Sequence, residues 1–113
     1  MISRGEIYLV SFDPARGSEQ RGVRPALIIQ NDSGNELSAK TIVAAMSARQ
    51  GLPYPFRVQV SSRESGLSEH SEVLLDQILT ITQERLGRKV GQLSPHVMEE
   101  VDRALHHSLG LVD

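Results

Sequence analysis

Gly17 to Asp32 read GSEQRGVRPALIIQND, and this stretch passes from a glycine-bounded polar loop into an apolar strand. Gly17 and Gly22 bracket Ser18, Glu19, Gln20 and Arg21, four polar side chains with no core to enter. Glycine at both ends admits backbone angles closed to other residues, so the loop can fold back tightly. After Pro25 comes Ala26-Leu27-Ile28-Ile29, a short apolar run that ends at the turn-forming Asn31-Asp32. That pattern predicts a buried strand over Arg24 to Gln30, with Pro25 marking an edge or a strand entry. Arg24 therefore stands where a polar loop meets a rigid strand, the place where a phosphate-binding side chain is best anchored.

Reading outward, Glu6 to Phe12 (EIYLVSF) is rich in strand formers and predicts the first strand. Asn31 to Asn35 reads as a turn, and Lys40 to Ser47 (KTIVAAMS) as a central apolar strand. Ala48 to Pro55 is a loop containing Gly51 and two prolines. Phe56 to Val60 (FRVQV) alternates as a half-exposed strand should. Ser61 to Ser71 is a polar connection with room for a helical turn. Glu72 to Ile81 (EVLLDQILTI) predicts a strand, or a bent pair, with Asp76-Gln77 at the bend. A helical turn over Thr82 to Leu86 and a short strand over Arg88 to Leu93 follow. Ser94 then suits an N-cap, Pro95 the first helical position and Gly110 the stop of a helix. Its apolar face is predicted to carry Val97, Met98, Val101, Leu105 and Leu109. Short strands, Pro/Gly turns and one late helix indicate a compact antiparallel barrel, mainly β, with a packed helix.

The 113 residues suit a single domain over 1–113 with one core. A hydrophobic content of 39% beside 23% charged residues is ordinary for a globular chain. The absence of cysteine excludes a disulfide framework and a cysteine nucleophile, and suits a reducing cytoplasm. No apolar stretch reaches membrane-spanning length, and MISRGEIYLV lacks the form of a signal peptide, so a cytoplasmic protein is expected. The net charge of −2 argues against a general nucleic-acid coat. The distribution is uneven, however. Residues 1–57 hold seven Lys/Arg against five Asp/Glu, a balance of +2, whereas residues 58–113 hold five against nine, a balance of −4. A modestly basic face could still hold a short single strand through a few close phosphate contacts.

Five segments carry a resemblance that the individual signals do not. RGEIYLV, GSEQRGVRPALIIQND, TIVAAMSA, EVLLDQILTI and a final helix ending SLGLVD occur in that order from Arg4 to Asp113. Together they resemble the MazF/PemK family of toxin endoribonucleases, and GSEQxGxRP is the most specific part. The resemblance implies a small SH3-like barrel of the MazF/CcdB/Kid type, with short helices and a C-terminal helix. It also implies sequence-specific cleavage of single-stranded RNA by attack of the 2′-hydroxyl, leaving a 2′,3′-cyclic phosphate and a 5′-hydroxyl. Neither metal nor other cofactor is implied. The implied partners are a second copy of the chain, in a homodimer, and a flexible acidic antitoxin tail of the MazE type.

Arg24 falls on the family's catalytic arginine. Its planar fork matches phosphate oxygens, and the preferred role is charge stabilisation, with proton donation to the leaving oxygen as an addition; a base role is disfavoured because a guanidinium hardly deprotonates near neutral pH. Ser47 falls on the second catalytic position, a hydroxyl at the end of the third strand where many relatives have threonine. Serine keeps the donor but loses the methyl that restricts its rotamer. Glu19 and Gln20 match the core motif as base-edge readers or proton shuttles, and Ser18, Arg21 and Asn31 complete the expected RNA contacts. Gln77 also matches, and its amide within an apolar run calls for a partner in the protein or in RNA. Tyr54 could stack on a base or lie in the core.

The histidines make no convincing site. His106 and His107 are neighbours that point about 100° apart on a helix, and His70 alone is an alternative acid or base. No spacing resembles a metal site. Two other classes compete. A CcdB-like inhibitor of DNA gyrase would be non-enzymatic, but those toxins use a tryptophan-bearing C-terminus and this chain has no tryptophan. A plain SH3-like binding module would line its groove with several aromatics, of which Tyr8, Phe12, Tyr54 and Phe56 are the whole supply.

Overall fold

The computed structural model describes residues 1–11 and 22–111. The expectations placed on Ser18, Glu19, Gln20 and Arg21 lie outside the described residues.

Six strands form one sheet: β1 (Glu6–Ser11), β2 (Val23–Ile28), β3 (Lys40–Ala48), β4 (Arg57–Val60), β5 (Ser71–Thr82) and β6 (Leu86–Gln92). Their order is β4-β5-β3-β2-β1-β6, and every neighbouring pair is antiparallel. Between them lie α1 (Asp32–Leu37), α2 (Ser62–Ser65) and a 3₁₀ turn over Gln83–Arg85, and α3 (Pro95–Leu109) ends the fold.

β2 shows why its sequence is apolar without alternation. Leu27 joins the larger core under α3, with Ile7, Met46, Val73, Leu75, Val97 and Val101. Ala26 and Ile28 point the other way, into a second cluster with Val10, Val43 and Ile81. A strand covered on both faces gains by being apolar at every position. Pro25 pairs with Leu9 of β1, whereas the β2–β3 ladder begins only at Ala26. The proline is thus at a strand entry within an interior strand, where no hydrogen bond to β3 is lost.

The bend expected at Asp76-Gln77 is a bulge. Ala44 pairs with Ile78 but the next residue, Ala45, pairs with Leu74, so Leu75, Asp76 and Gln77 have no partner on β3. Leu75 instead donates its N–H to Phe56 O at 3.0 Å, and its carbonyl accepts from Ser108 Oγ of α3 at 2.7 Å. The displaced Leu75 backbone is therefore satisfied, and β5 bends away from β3.

The two ends of the sheet are brought together by backbone contact. A Cβ on Gly91 of β6 would lie 2.2 Å from Ser65 O, and one on Gly66 would lie 2.3 Å from Val90 O. Only glycine permits that approach. Among the described residues, α2 rather than a direct β4–β6 ladder closes the curl, which gives the expected mainly β, barrel-like form.

Two sequence expectations need correction. Asn31 to Asn35 is not a simple turn: Asn31 caps α1, its side chain accepting from Gly34 N at 2.7 Å. Asn35 is buried and accepts from Thr41 Oγ1 and Gln30 Nε2, a polar anchor that outweighs the poor helix propensity of DSGN. On α3, Ala104 rather than Leu109 completes the buried face; Leu109 is 53% exposed at the last turn. Ser94, Pro95 and Gly110 take the expected cap positions. No helix among the described residues is long and apolar enough to cross a membrane.

Candidate active site

The bulge in β5 opens a cleft of about 670 Å³ over the seam between β2, β3 and β5. Arg24, Ser47 and Gln77 all line it, with Gln50, Arg57 and an apolar floor that includes Pro25, Ala45 and Leu74. Strand register explains the meeting of Arg24 and Ser47. The β2–β3 ladder pairs Ala26 with Ala45, and continuing that register by two residues sets Arg24 across from Ser47. Pro25 lacks the N–H to extend the ladder there, so both side chains stand where β2 and β3 part, each strand still paired on its other side.

Arg24 is exposed and has no hydrogen-bond or ion-pair partner among the described residues. Ser47 is half-buried, and its Oγ donates to Ala48 O at 3.2 Å. That bond is long for a hydroxyl donor, so a better acceptor in the cleft would replace it at little cost. Gln77 is exposed on the bulge, and its amide makes no hydrogen bond within the described residues. The amide that seemed to need a partner is therefore turned out of the core and toward the cleft.

One cluster was not foreseen. Glu72 is fully buried beside Ser47, its cross-strand partner. Its carboxylate accepts from Gln59 Nε2 at 2.7 Å and from Arg57 Nη1 at 3.4 Å. Arg57 also reaches Asp76 Oδ2 at 3.5 Å, which ties β4 to the bulge. Alternation in FRVQV puts Arg57 and Gln59 on one face, and that face carries a buried charge system instead of meeting solvent. Removing one member of such a pair leaves the other charge buried, at a cost of about 3–5 kcal/mol.

The remaining sequence candidates divide. Tyr54 is 42% exposed and stacks on Phe56, with ring centroids 5.0 Å apart and planes at 15°. The Arg57 guanidinium carbon lies 5.1 Å from the Tyr54 ring centre. Tyr54 is thus a surface ring beside Arg57, which lines the cleft, and not a core residue. Asn31 lies at the far end of β2 from Arg24, and its side chain is engaged as the α1 cap, so it does not join the cleft. His70 accepts from Ser62 N at 3.0 Å through Nδ1, beside α2 and away from the cleft lining. Among the described residues no group of three or more His, Asp or Glu is placed to hold a metal ion.

The cleft therefore offers one unengaged guanidinium, one hydroxyl and one amide around an open space of ligand size. Among the described residues these are donors, and the carboxylate nearest Ser47 in the sheet, Glu72, is engaged by Gln59 and Arg57. Such a set suits an anionic substrate whose charge grows during reaction.

The chain is similar to known proteins in both sequence and structure. Residues 3–109 match the family described as PemK-like, MazF-like toxin of type II toxin–antitoxin systems. Endoribonuclease EndoA of Bacillus subtilis is 43% identical over 114 residues, covering 100% of this chain and 98% of the relative. A mycobacterial endoribonuclease solved in complex with its cognate antitoxin superposes with a TM-score of 0.82 at 25% identity, over 100% of this chain and 99% of that one. A MazE–MazF structure from Deinococcus radiodurans gives 0.79 at 26% identity, over 98% and 97% of the two chains.

Proposed function

The chain belongs to the PemK/MazF-like toxin family of type II toxin–antitoxin systems, and from that premise we propose how it cleaves RNA. It is an endoribonuclease toxin. Its substrate is single-stranded RNA, cut at a specific sequence without a metal ion. The ribose 2′-hydroxyl attacks the adjacent phosphorus, the bond to the 5′-oxygen breaks, and the products carry a 2′,3′-cyclic phosphate and a 5′-hydroxyl.

In this reading Arg24 holds the non-bridging phosphate oxygens and stabilises the charge that accumulates on them in the transition state. Ser47 exchanges its bond to Ala48 O for one to the same phosphate. The 2′-hydroxyl must lose a proton and the departing 5′-oxygen must gain one. Glu19 is the carboxylate of the matching motif assigned to the first task, and Arg24 the donor for the second. Ser18, Gln20 and Arg21 contact the strand from the same motif, and Gln77 addresses a base edge from the bulge. The observation that carries the reading is the shared cleft: an arginine without a partner among the described residues and a strand-end hydroxyl, drawn from neighbouring strands, line one opening.

The mycobacterial and Deinococcus structures contain antitoxin in complex. We extend that to this chain: it works as a homodimer in the cytoplasm and is silenced by an acidic MazE-like tail, whose carboxylates complement the Arg24 guanidinium of the cleft. The gyrase-inhibitor reading is not favoured, since the full-length relative is an endoribonuclease and the chain has no tryptophan.

The test is purified protein on a long RNA with EDTA present, followed by mapping of the cut sites and their ends. Cleavage at a short recurring sequence, with cyclic phosphate upstream and free 5′-hydroxyl downstream, is the expected result. Cleavage only after a divalent ion is restored, or 5′-phosphate ends, would falsify the proposed chemistry.

A further inference from the structure

We propose that Tyr54 is a nucleobase-stacking residue at the rim of the cleft, positioned by the buried Glu72–Arg57 pair. The inference rests on the endoribonuclease reading and adds a binding subsite to it. Ser47 lies near the end of β3 and Arg57 opens β4, and both line the cleft. The loop between them, residues 49–56, contributes Gln50 to the lining of the same opening, and Tyr54 packs on Arg57, which lines it too. Two of its three large apolar side chains, Leu52 and Tyr54, are 41% and 42% exposed.

Exposed aromatic rings on loops are usually mobile, but this one is braced. Phe56 stacks against it, and the Arg57 guanidinium lies 5.1 Å from the Tyr54 ring centre and 5.9 Å from that of Phe56. Arg57 is itself fixed, with only 14% of its side chain exposed, between the fully buried Glu72 and the more exposed Asp76. The two acids neutralise Arg57, which argues against a phosphate-binding role for it. What remains for it is support: a planar cation under a ring, held by a carboxylate that has no access to water. A ring held in place loses little freedom when a base stacks on it, so its stacking contributes fully to binding. Arg57 and Glu72 are then positioning residues, and Tyr54 touches the substrate.

The chain contains two tyrosines and no tryptophan, which makes the test direct. Tyr8 donates to the Glu6 carboxylate, so a Tyr8→Phe background leaves Tyr54 as the sole tyrosine emitter. The probe is a short RNA spanning the first cleavage site mapped on a long transcript, with 2′-deoxyribose at the cut position. Its titration should quench Tyr54 emission to saturation, and an abasic substitution at one neighbouring position should abolish the quench. Tyr54→Ala should raise KM about tenfold, within the range known for base–aromatic stacking, and leave kcat within about twofold. Tyr54→Phe should restore KM.

A double variant, Arg57→Met with Glu72→Leu, removes the brace without stranding a buried charge. With an unchanged melting temperature, it should raise KM in the same direction. If the wild type cleaves RNA but Tyr54 emission and the KM of Tyr54→Ala stay unchanged, the inference fails and the enzymatic reading survives. That outcome would assign the ring to a protein partner. If no RNA is cleaved at all, both fall.

Discussion

At the residue scale the site depends on one guanidinium left without a partner. Arg24 is exposed, lies outside both apolar clusters and touches no acid among the described residues, so its loss should not disturb folding. Arg24→Ala is expected to lower kcat/KM by at least about 100-fold, the effect of removing one preorganised transition-state donor, with a melting temperature close to wild type. Arg24→Lys should recover only part of the activity, because a point charge replaces a two-point fork. Ser47→Ala should cost about 10- to 100-fold, while Ser47→Thr, which keeps the hydroxyl and restricts its rotamer, should match or exceed wild type. Single-turnover cleavage of one mapped RNA measures all four. How these residues were legible differs in kind. Arg24 could be singled out because its local signal, a polar loop meeting Arg-Pro and an apolar strand, is contiguous. Ser47 was reached only through family resemblance. Glu72 was not legible, since its partner Arg57 is 15 positions away across a strand pair whose register no local pattern sets. Asn31 was misread because the same side chain that favours a turn also caps a helix.

At the element scale, the elements with local punctuation were read well and those decided by tertiary contacts were not. The α3 boundaries follow from Ser94, Pro95 and Gly110, and the bend in β5 from Asp76-Gln77. The curl of the sheet, by contrast, depends on Gly66 and Gly91 facing backbone across a long sequence gap. The β1–β6 pairing offers a prediction of its own. Glu6 of β1 is buried and accepts from Ser3 N at 2.8 Å, Lys89 Nζ of β6 at 3.0 Å and the Tyr8 hydroxyl at 3.0 Å. Burial alone would raise its pKa, but the Ser3, Lys89 and Tyr8 hydrogen bonds together outweigh it and hold the carboxyl below its ordinary value of 4.5. A folded pKa below the unfolded one means that the stabilisation is fully present above the unfolded value. It is lost as pH falls from about 4.5 through the lower folded value. Glu6→Gln should therefore be less stable than wild type near neutral pH, and the gap should close as the medium is acidified past that point. Urea unfolding of both proteins between neutral and acid pH checks it. A gap that widens on acidification would contradict the hydrogen-bonded carboxylate.

At the scale of the whole molecule, the charge distribution sets how RNA is held. The chain carries a net charge of −2, and its acidic excess lies in the second half, where α3 bears Glu99, Glu100 and Asp102. Within the cleft the cations among the described residues are Arg24 and Arg57, and Arg57 is taken by Glu72 and Asp76. Binding by a long-range basic field is therefore unsupported. Affinity must come from a few phosphate contacts, from stacking and from base-edge hydrogen bonds. Salt dependence separates these sources. A single strand that releases counterions from two or three phosphates gives a slope of about −1.4 to −2 in log K against log salt, near −0.7 per contact. The deoxy-substituted RNA should thus weaken only about tenfold between roughly 50 and 200 mM salt, the interval over which proteins with many phosphate contacts lose about 10³–10⁵ in affinity. A measured slope of about −5 or steeper would mean that the substrate is gripped mainly by its backbone. Arg24→Ala should flatten the slope by about 0.7 and Tyr54→Ala should leave it unchanged, because a stacked ring displaces no counterion.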